Sequence, residues 1–280
     1  MITSKDNAQV KQVCAYQKKR KERDRDGVFV AEGERLVREV PAEALVSLYV
    51  SQSYRAAAAG EAAAFLARHE AVTQIVSDEV FRKMSDVESP QGLLAVVRQG
   101  VDAAAAGEGG TSAERLVRQG SGSSAPSLLL DSIQDSGNLG TIFRSAEAAG
   151  ASFMRLSADC ADAYSPKVVR ATMGSIFRLT FAYAEDLAAD IRTLRETQGM
   201  KVYAAMLDET AAPYDSIDYT AGPVAFVIGN EAKGIRAECA AACDGRIFIP
   251  MEGKNESLNA AVAASVLLFE AARQRRRNAQ

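Results

Sequence analysis

Two stretches, Val227-Ile-Gly-Asn-Glu-Ala-Lys-Gly234 and Ile249-Pro-Met-Glu-Gly-Lys-Asn-Glu-Ser-Leu-Asn259, decide how the chain folds. The apolar run over 223–228 reads as a buried strand that ends in a tight turn. Gly229 and Gly234 stand where another backbone or a ligand must come close. A helix is expected straight after the turn, with Glu231 at its start, where a carboxylate suits the helix dipole. The event then repeats. A short strand over 246–249 breaks at Pro250 and loops through Gly253. Ser257 is the expected N-cap of a helix whose apolar positions, Leu258, Val262, Val266 and Phe269, keep helical spacing. Two polar loops thus follow two parallel strands, and in an open α/β sheet that edge is where ligands bind.

The region upstream agrees with this. Strands are expected over 128–131, 153–156, 178–183 and 201–206. Helices are expected over 138–149, capped by Asn138, and over 166–176 and 186–198. Five or six strands alternating with helices imply a mostly parallel sheet. Neither a Gly-x-Gly-x-x-Gly turn after the first strand nor a Gly-x-x-x-x-Gly-Lys-Ser/Thr loop is present, which removes the ordinary dinucleotide- and phosphate-loop readings.

The N-terminal region is a smaller α/β unit. Strands are expected over 28–30, 45–50, 72–76 and 93–97, and helices over 33–40, 54–69 and 78–84. Residues 101–126 change character: sixteen of the 26 are Ala, Gly, Ser or Thr without periodicity, which reads as a flexible linker. Three parts follow: a domain over 1–100, a linker over 101–126, and a second domain over 127–280.

Composition narrows the function classes. The net charge of −3 argues against an overall basic protein, so any nucleic-acid surface must be local. The first 26 residues carry eight Lys or Arg against four Asp or Glu, densest at Lys18, Lys19, Arg20 and Lys21. This cluster is either a solvated helix end or a phosphate-contacting surface. No apolar run approaches membrane-spanning length and no secretory signal opens the chain, so a cytoplasmic protein is expected. The scattered Cys14, Cys160, Cys239 and Cys243, with His69 the lone histidine, read as reduced thiols rather than a metal site. His69 itself reads as a surface residue.

The two opening stretches go further than their periodicity. Gly229-Asn-Glu-x-x-Gly234 and Ile249-Pro-Met-x-Gly-x-x-x-Ser-Leu-Asn259 resemble the second and third motifs of the SpoU (TrmH-type) RNA 2′-O-ribose methyltransferases, and Asn138-Leu-Gly-Thr-Ile-Phe-Arg144 resembles the first. Three motifs in order are specific, where a lone Gly-x-Glu-x-x-Gly is not. The segment 165–174, with Lys167 and Arg170 one helical turn apart, is similar to one found in the ribosomal RNA members. More loosely, Phe29-Val-Ala-Glu-Gly-Glu-Arg35 and Ser89-Pro-Gln-Gly92 resemble the ribosomal-protein-like substrate-binding domain many such enzymes carry.

The resemblance implies an α/β fold with a trefoil knot, a homodimer, S-adenosylmethionine as cofactor, no metal, and RNA as partner. It places Asn138, Arg144, Glu231, Ser257 and Asn259 at the reacting ribose. Gly229, Ile249, Met251 and Leu258 are implied at the cofactor, and Lys18, Lys19, Arg20, Lys21, Lys167 and Arg170 at RNA phosphates. The family is often described with the arginine as general base. A guanidinium stays protonated across the usable pH range, so Arg144 suits a phosphate anchor and alkoxide stabiliser better. Its alternative role is a salt bridge to Glu147 or Glu231. Glu231 either caps a helix or orients Asn138 or Arg144, and Lys167 with Arg170 either meets RNA or forms a solvated basic face. The expected activity is 2′-O-methylation of structured RNA, ribosomal RNA before transfer RNA. The rivals are a non-catalytic RNA-binding or assembly protein that kept the fold, and a base methyltransferase.

Overall fold

The computed structural model describes residues 1–100, 125–254 and 257–278, so the linker expected over 101–126 falls outside the described residues except at its last two positions. The described residues build two sheets in two compact units.

The first unit has four strands, β1 (Val28–Glu32), β2 (Leu45–Ser51), β3 (Thr73–Val76) and β4 (Leu93–Arg98), in the order β1-β4-β2-β3. β4 runs antiparallel to β1 and β2, whereas β2 and β3 are parallel. Its helices are α1 (Ala8–Lys18), α2 (Arg20–Asp26), α3 (Glu34–Arg38), α4 (Gln52–Ala57), α5 (Glu61–Arg68) and α6 (Asp78–Met84). Val10 and Val13 of α1 and Val80, Phe81 and Met84 of α6 close a core over Val30, Tyr49 and Leu94. Those helix positions recur at three- and four-residue spacing, the signature of a single buried face.

The helix expected over 54–69 is two helices. α4 is capped by the Ser51 hydroxyl, which accepts from the Tyr54 amide at 3.1 Å, and the chain then turns at Gly60, where φ is +55°. The alanine run favours helix but anchors little, and the break lets Leu66 of α5 reach the core.

The second unit holds seven strands: β5 (Ser127–Leu130), β6 (Met154–Ser157), β7 (Phe181–Ala184), β8 (Lys201–Ala205), β9 (Ala212–Pro213), β10 (Val224–Ile228) and β11 (Gly245–Phe248). Their order is β7-β6-β5-β10-β8-β11-β9, and every neighbouring pair is parallel. The central strands β5 and β10 are buried along their whole length, as parallel strands covered on both faces must be. Helices α7 (Ser136–Ala148), α9 (Leu187–Gln198), α10 (Ala237–Ala242) and α11 (Ala260–Asn278) flank this sheet.

Helix α8 (Pro166–Ala171) is shorter than the expected 166–176. Met173 and Gly174 take left-handed backbone, φ +50° and +88°, and a 3-10 turn follows at Ser175–Phe177. By packing, Asp162–Phe177 counts with the first unit rather than with the rest of 127–280. The Phe29 ring of β1 lies 4.9 Å from that of Tyr164 and 6.1 Å from that of Phe177, which holds the segment there.

α11 corrects a second expectation. Its buried side is Ala264, Leu267, Leu268 and Ala271, while Val262 and Phe269 are 47% and 45% exposed. α11 packs on α7, where Ser265 Oγ donates to Ser145 Oγ at 2.7 Å. The buried face of α11 is thus made of alanines and leucines, and Val262 and Phe269 stand outside it.

Asp244, just before β11, ties three elements together. Its carboxylate accepts from the Val202 amide at 2.9 Å and the Arg195 guanidinium at 3.0 Å. Burial alone would raise its pKa, but these contacts hold it below the ordinary carboxylate value. A carboxyl depressed in the folded state adds stability that is complete above its unfolded pKa of about 4 and is lost as pH falls through the folded value. Denaturant melts of wild type and Asp244→Asn should therefore converge below about pH 4. A stability gap that persists unchanged into that acid range would contradict this account.

Candidate active site

The turn after β10 is built around one asparagine. The main chains of Asn230 and Gly234 exchange two hydrogen bonds, with Asn230 N–H donating at 3.1 Å and Gly234 N–H at 2.8 Å. The Asn230 side-chain oxygen accepts from the amides of Ala232 at 2.9 Å and Lys233 at 3.1 Å, and its NH2 donates to the Ser132 carbonyl at 3.0 Å. A side chain on Gly229 would overlap the Gly234 carbonyl and come within 2.6 Å of the Ile235 nitrogen, so only glycine closes the turn. Glu231 is therefore at an exposed turn tip and not at a helix start; α10 begins at Ala237. The expected capping role is removed because the Asn230 side chain takes the free amides.

Glu231 instead accepts from the Asn138 side-chain NH2, and Asn138 in turn accepts through its side-chain oxygen from Asn259 NH2 at 2.9 Å. Three residues distant in sequence, one from each matched stretch, thus form one hydrogen-bonded chain. Helix α7 buries Leu139, Ile142, Phe143 and Ala146 and leaves Asn138 half-buried at the border of that face. Asn138 is not the cap of α7. The Asp135 carboxylate is, accepting from the Asn138 amide at 2.8 Å. Likewise α11 is capped by Asn259, whose side-chain oxygen accepts from Ala261 N–H at 3.0 Å and Val262 N–H at 3.3 Å, and not by Ser257. Asparagine and aspartate outrank most residues as caps, so the correction costs the helices nothing.

Arg144 lies six residues along α7 from Asn138 and is exposed. Neither expected salt-bridge partner takes it: Glu147 pairs with Arg178 at 2.9 Å and Glu231 with Asn138. Among the described residues no hydrogen bond or ion pair involves Arg144, which leaves a guanidinium fork directed at solvent.

Beside this chain, a cleft of about 440 Å³ opens at the carboxyl ends of the adjacent strands β8 and β11. Ile249, Met251, Ser257 and Leu258 line it, as do Met206 and Leu207, which the sequence reading missed. Their signal was available: they directly follow β8, at the same sheet edge. Gly229 is not part of this lining and serves the turn instead. The volume and predominantly aliphatic walls suit a flat heterocycle of nucleoside size. Asn230, central to the turn, was also missed, although it stands between Gly229 and Glu231.

The basic candidates divide. Lys18, Lys19, Arg20 and Lys21 are all exposed at the junction of α1 and α2, where Arg20 pairs with Asp24 at 3.3 Å. Lys167 is exposed, but Arg170 is held with both terminal nitrogens 3.1 Å from Asp86 Oδ2. His69 is half-buried against Phe65, with ring centroids 4.7 Å apart. Burial pushes the Cys239 and Cys243 thiols up to about 12, so both are protonated near neutral pH. Among the described residues no helix is long and apolar enough to cross a membrane.

Residues 125–269 match the SpoU rRNA Methylase family, and residues 7–95 match the MRM3-like substrate binding domain. The chain is 31% identical over 201 residues to the 23S rRNA (guanosine(2553)-2′-O)-methyltransferase RlmP of Bacillus subtilis, covering 70% of each chain. It is 39% identical over 148 residues to the 23S rRNA (guanosine-2′-O-)-methyltransferase RlmB of Xanthomonas axonopodis, covering 53% of this chain and 58% of that one. Its fold is similar to that of the AdoMet-bound rRNA methyltransferase from Sinorhizobium meliloti, with a TM-score of 0.79, 30% identity and 97% of each chain covered. With its three motifs gathered at one sheet edge and this match across more than half its length, the chain belongs to the SpoU rRNA methylase family.

Proposed function

We propose that the protein methylates a ribose 2′-hydroxyl of ribosomal RNA with S-adenosylmethionine, in the cytoplasm. The observation that carries this is the Asn259–Asn138–Glu231 chain set beside the aliphatic cleft, with Arg144 unpaired on the same helix as Asn138. S-adenosylmethionine, when bound, supplies a methyl group on an already activated sulfonium. The protein's part is therefore mainly positioning. Ile249, Met251 and Leu258 give the cofactor apolar walls at the cleft, and Ser257 adds a hydroxyl at its rim. The rigid turn at Gly229–Gly234 fixes Glu231, which fixes the Asn138 amide.

Arg144 meets the RNA. A guanidinium is not a practical proton acceptor, so its contribution is to grip the phosphate beside the target ribose and to offset the charge that grows on the oxygen. The exposed Lys18–Lys21 cluster lies in the unit matching the substrate-binding domain and holds RNA through its phosphates. The names of the relatives favour ribosomal over transfer RNA. The enzyme works as a homodimer, for which the support is the exposed pair Val262 and Phe269, two turns apart on α11. The trefoil knot enters with the same reading, on family membership.

Arg144→Ala should lower the methylation rate by about 10²–10³-fold while cofactor affinity, read by calorimetry, stays near wild type. Arg144→Lys keeps the charge but loses the fork and should remain badly impaired; a wild-type rate from it would show that the bidentate geometry is irrelevant. Val262→Asp with Phe269→Asp should convert a dimer into a monomer in sedimentation, and an unchanged dimer would remove α11 from the interface. Changing Lys18, Lys19, Arg20 and Lys21 to glutamate should weaken RNA binding and reduce the slope of log affinity against log salt by about 3–4. An unaltered slope would take these residues off the RNA.

A further inference from the structure

The two N-terminal stretches that the methyl-transfer chemistry does not use, 29–35 and 89–92, meet at a cavity of about 200 Å³ within the first unit. Its walls are Leu36 and Met173, its rim carries Arg35 and Arg170, and Glu32, Glu39, Gly33 and Gln91 complete it. We infer that this cavity receives one unstacked nucleobase of the RNA substrate and so helps select the site of modification. The inference rests on the reading of the protein as an RNA-modifying enzyme.

Size excludes larger ligands. Pockets for drug-sized molecules run to about 300–1,000 Å³, so this one holds a single ring system and not a whole nucleotide cofactor. The lining counts two guanidiniums and two carboxylates, so it carries no net positive charge to hold a small anion by itself. A base, by contrast, offers a flat apolar face together with donors and acceptors on its edge, and sequence-selective RNA recognition relies on such splayed bases.

The polar groups are arranged for that. Gln91 Oε1 accepts from the Glu34 amide at 2.9 Å, which fixes the side chain and leaves its NH2 as a donor. Glu32 is buried and already engaged by the Ser85 hydroxyl and by the Asp86 amide at 3.1 Å. Asp86 in turn clamps Arg170 at 3.1 Å, so the Arg170 plane is held rigid at the rim. Arg35 is exposed and makes no ion pair among the described residues, free to take the phosphate next to a captured base.

Met173 is the unusual member. It is 41% exposed yet held at φ +50°, a conformation that ordinary side chains rarely adopt. Strained positions of this kind persist where the surroundings fix them, and they concentrate at ligand clamps. The strain here points an unbranched, polarisable thioether at the cavity, a side chain suited to packing on a ring face.

The test uses the full chain with two RNA probes of equal length, a hairpin with an unpaired loop and a blunt duplex, read by fluorescence anisotropy at fixed salt. Met173→Ala and Arg35→Ala should each weaken hairpin binding at least fivefold, while Met173→Ala leaves duplex binding unchanged and Met173→Leu restores hairpin affinity. A hairpin with 4-thiouridine in its loop should crosslink to peptides containing residues 32–39 or 170–173. Unchanged hairpin affinity in both alanine variants, equal losses on hairpin and duplex, or crosslinks confined to other peptides would each overturn the inference. Methyl transfer from labelled S-adenosylmethionine to ribosomal RNA is measured in parallel. Loss of hairpin affinity without any methylation by wild type would sink the enzymatic reading and keep the base pocket; full methylation with unaltered binding in the variants would do the reverse.

Discussion

Closure of the main chain between Asn230 and Gly234 is the constraint on which the candidate site depends. It needs a position with no side chain at 229, a left-handed residue at 234, where φ is +69°, and an asparagine able to satisfy two amides and one distant carbonyl at once. These bonds hold an exposed loop in one conformation and tie it to the Ser132 carbonyl at the carboxyl edge of the sheet. With the turn closed, Glu231 has one place to be, and Asn138 and Asn259 are aligned by it. The geometry of the Asn259–Asn138–Glu231 chain is thus set by backbone bonding more than by packing.

That arrangement also explains why an arginine is left without a partner. Glu147 is committed to Arg178 and Glu231 to Asn138, so the two carboxylates nearest Arg144 in the expected scheme are both spent. An exposed guanidinium loses little by remaining solvated. It also has no internal ion pair to break before it can meet an anion.

Much of this was legible in the sequence, and for identifiable reasons. Alternation of strands and helices gave the parallel sheet, since long apolar runs such as 127–130 and 224–228 have few other homes. The motif residues came together because each follows a strand at one edge. What failed was local. Asn138 and Ser257 both look like helix caps, but Asp135 and Asn259 do that work, because a cap is decided by where the preceding loop delivers a side chain and not by residue type alone. Val262 and Phe269 keep the expected helical spacing, but both are exposed, because the buried face of α11 runs through Ala264, Leu267, Leu268 and Ala271. The grouping of Asp162–Phe177 with the first unit was invisible, since it depends on rings far apart in the chain, Phe29 with Tyr164 and Phe177.

One feature of α11 reaches beyond its cap. The Asn259 oxygen is occupied by the first amides of a 19-residue helix, so only its NH2 can face Asn138; the Asn138 oxygen is then occupied, so only its NH2 can face Glu231. The two amides therefore form a one-way relay, every link donating toward the carboxylate. Rotating either amide by half a turn would set oxygen against oxygen and break the links on both sides. A long helix pointing its positive end into the relay also polarises it toward Glu231. The Glu231 carboxylate is in this way the last acceptor of a directed wire, its orientation governed by the helix that begins at the Asn259 cap.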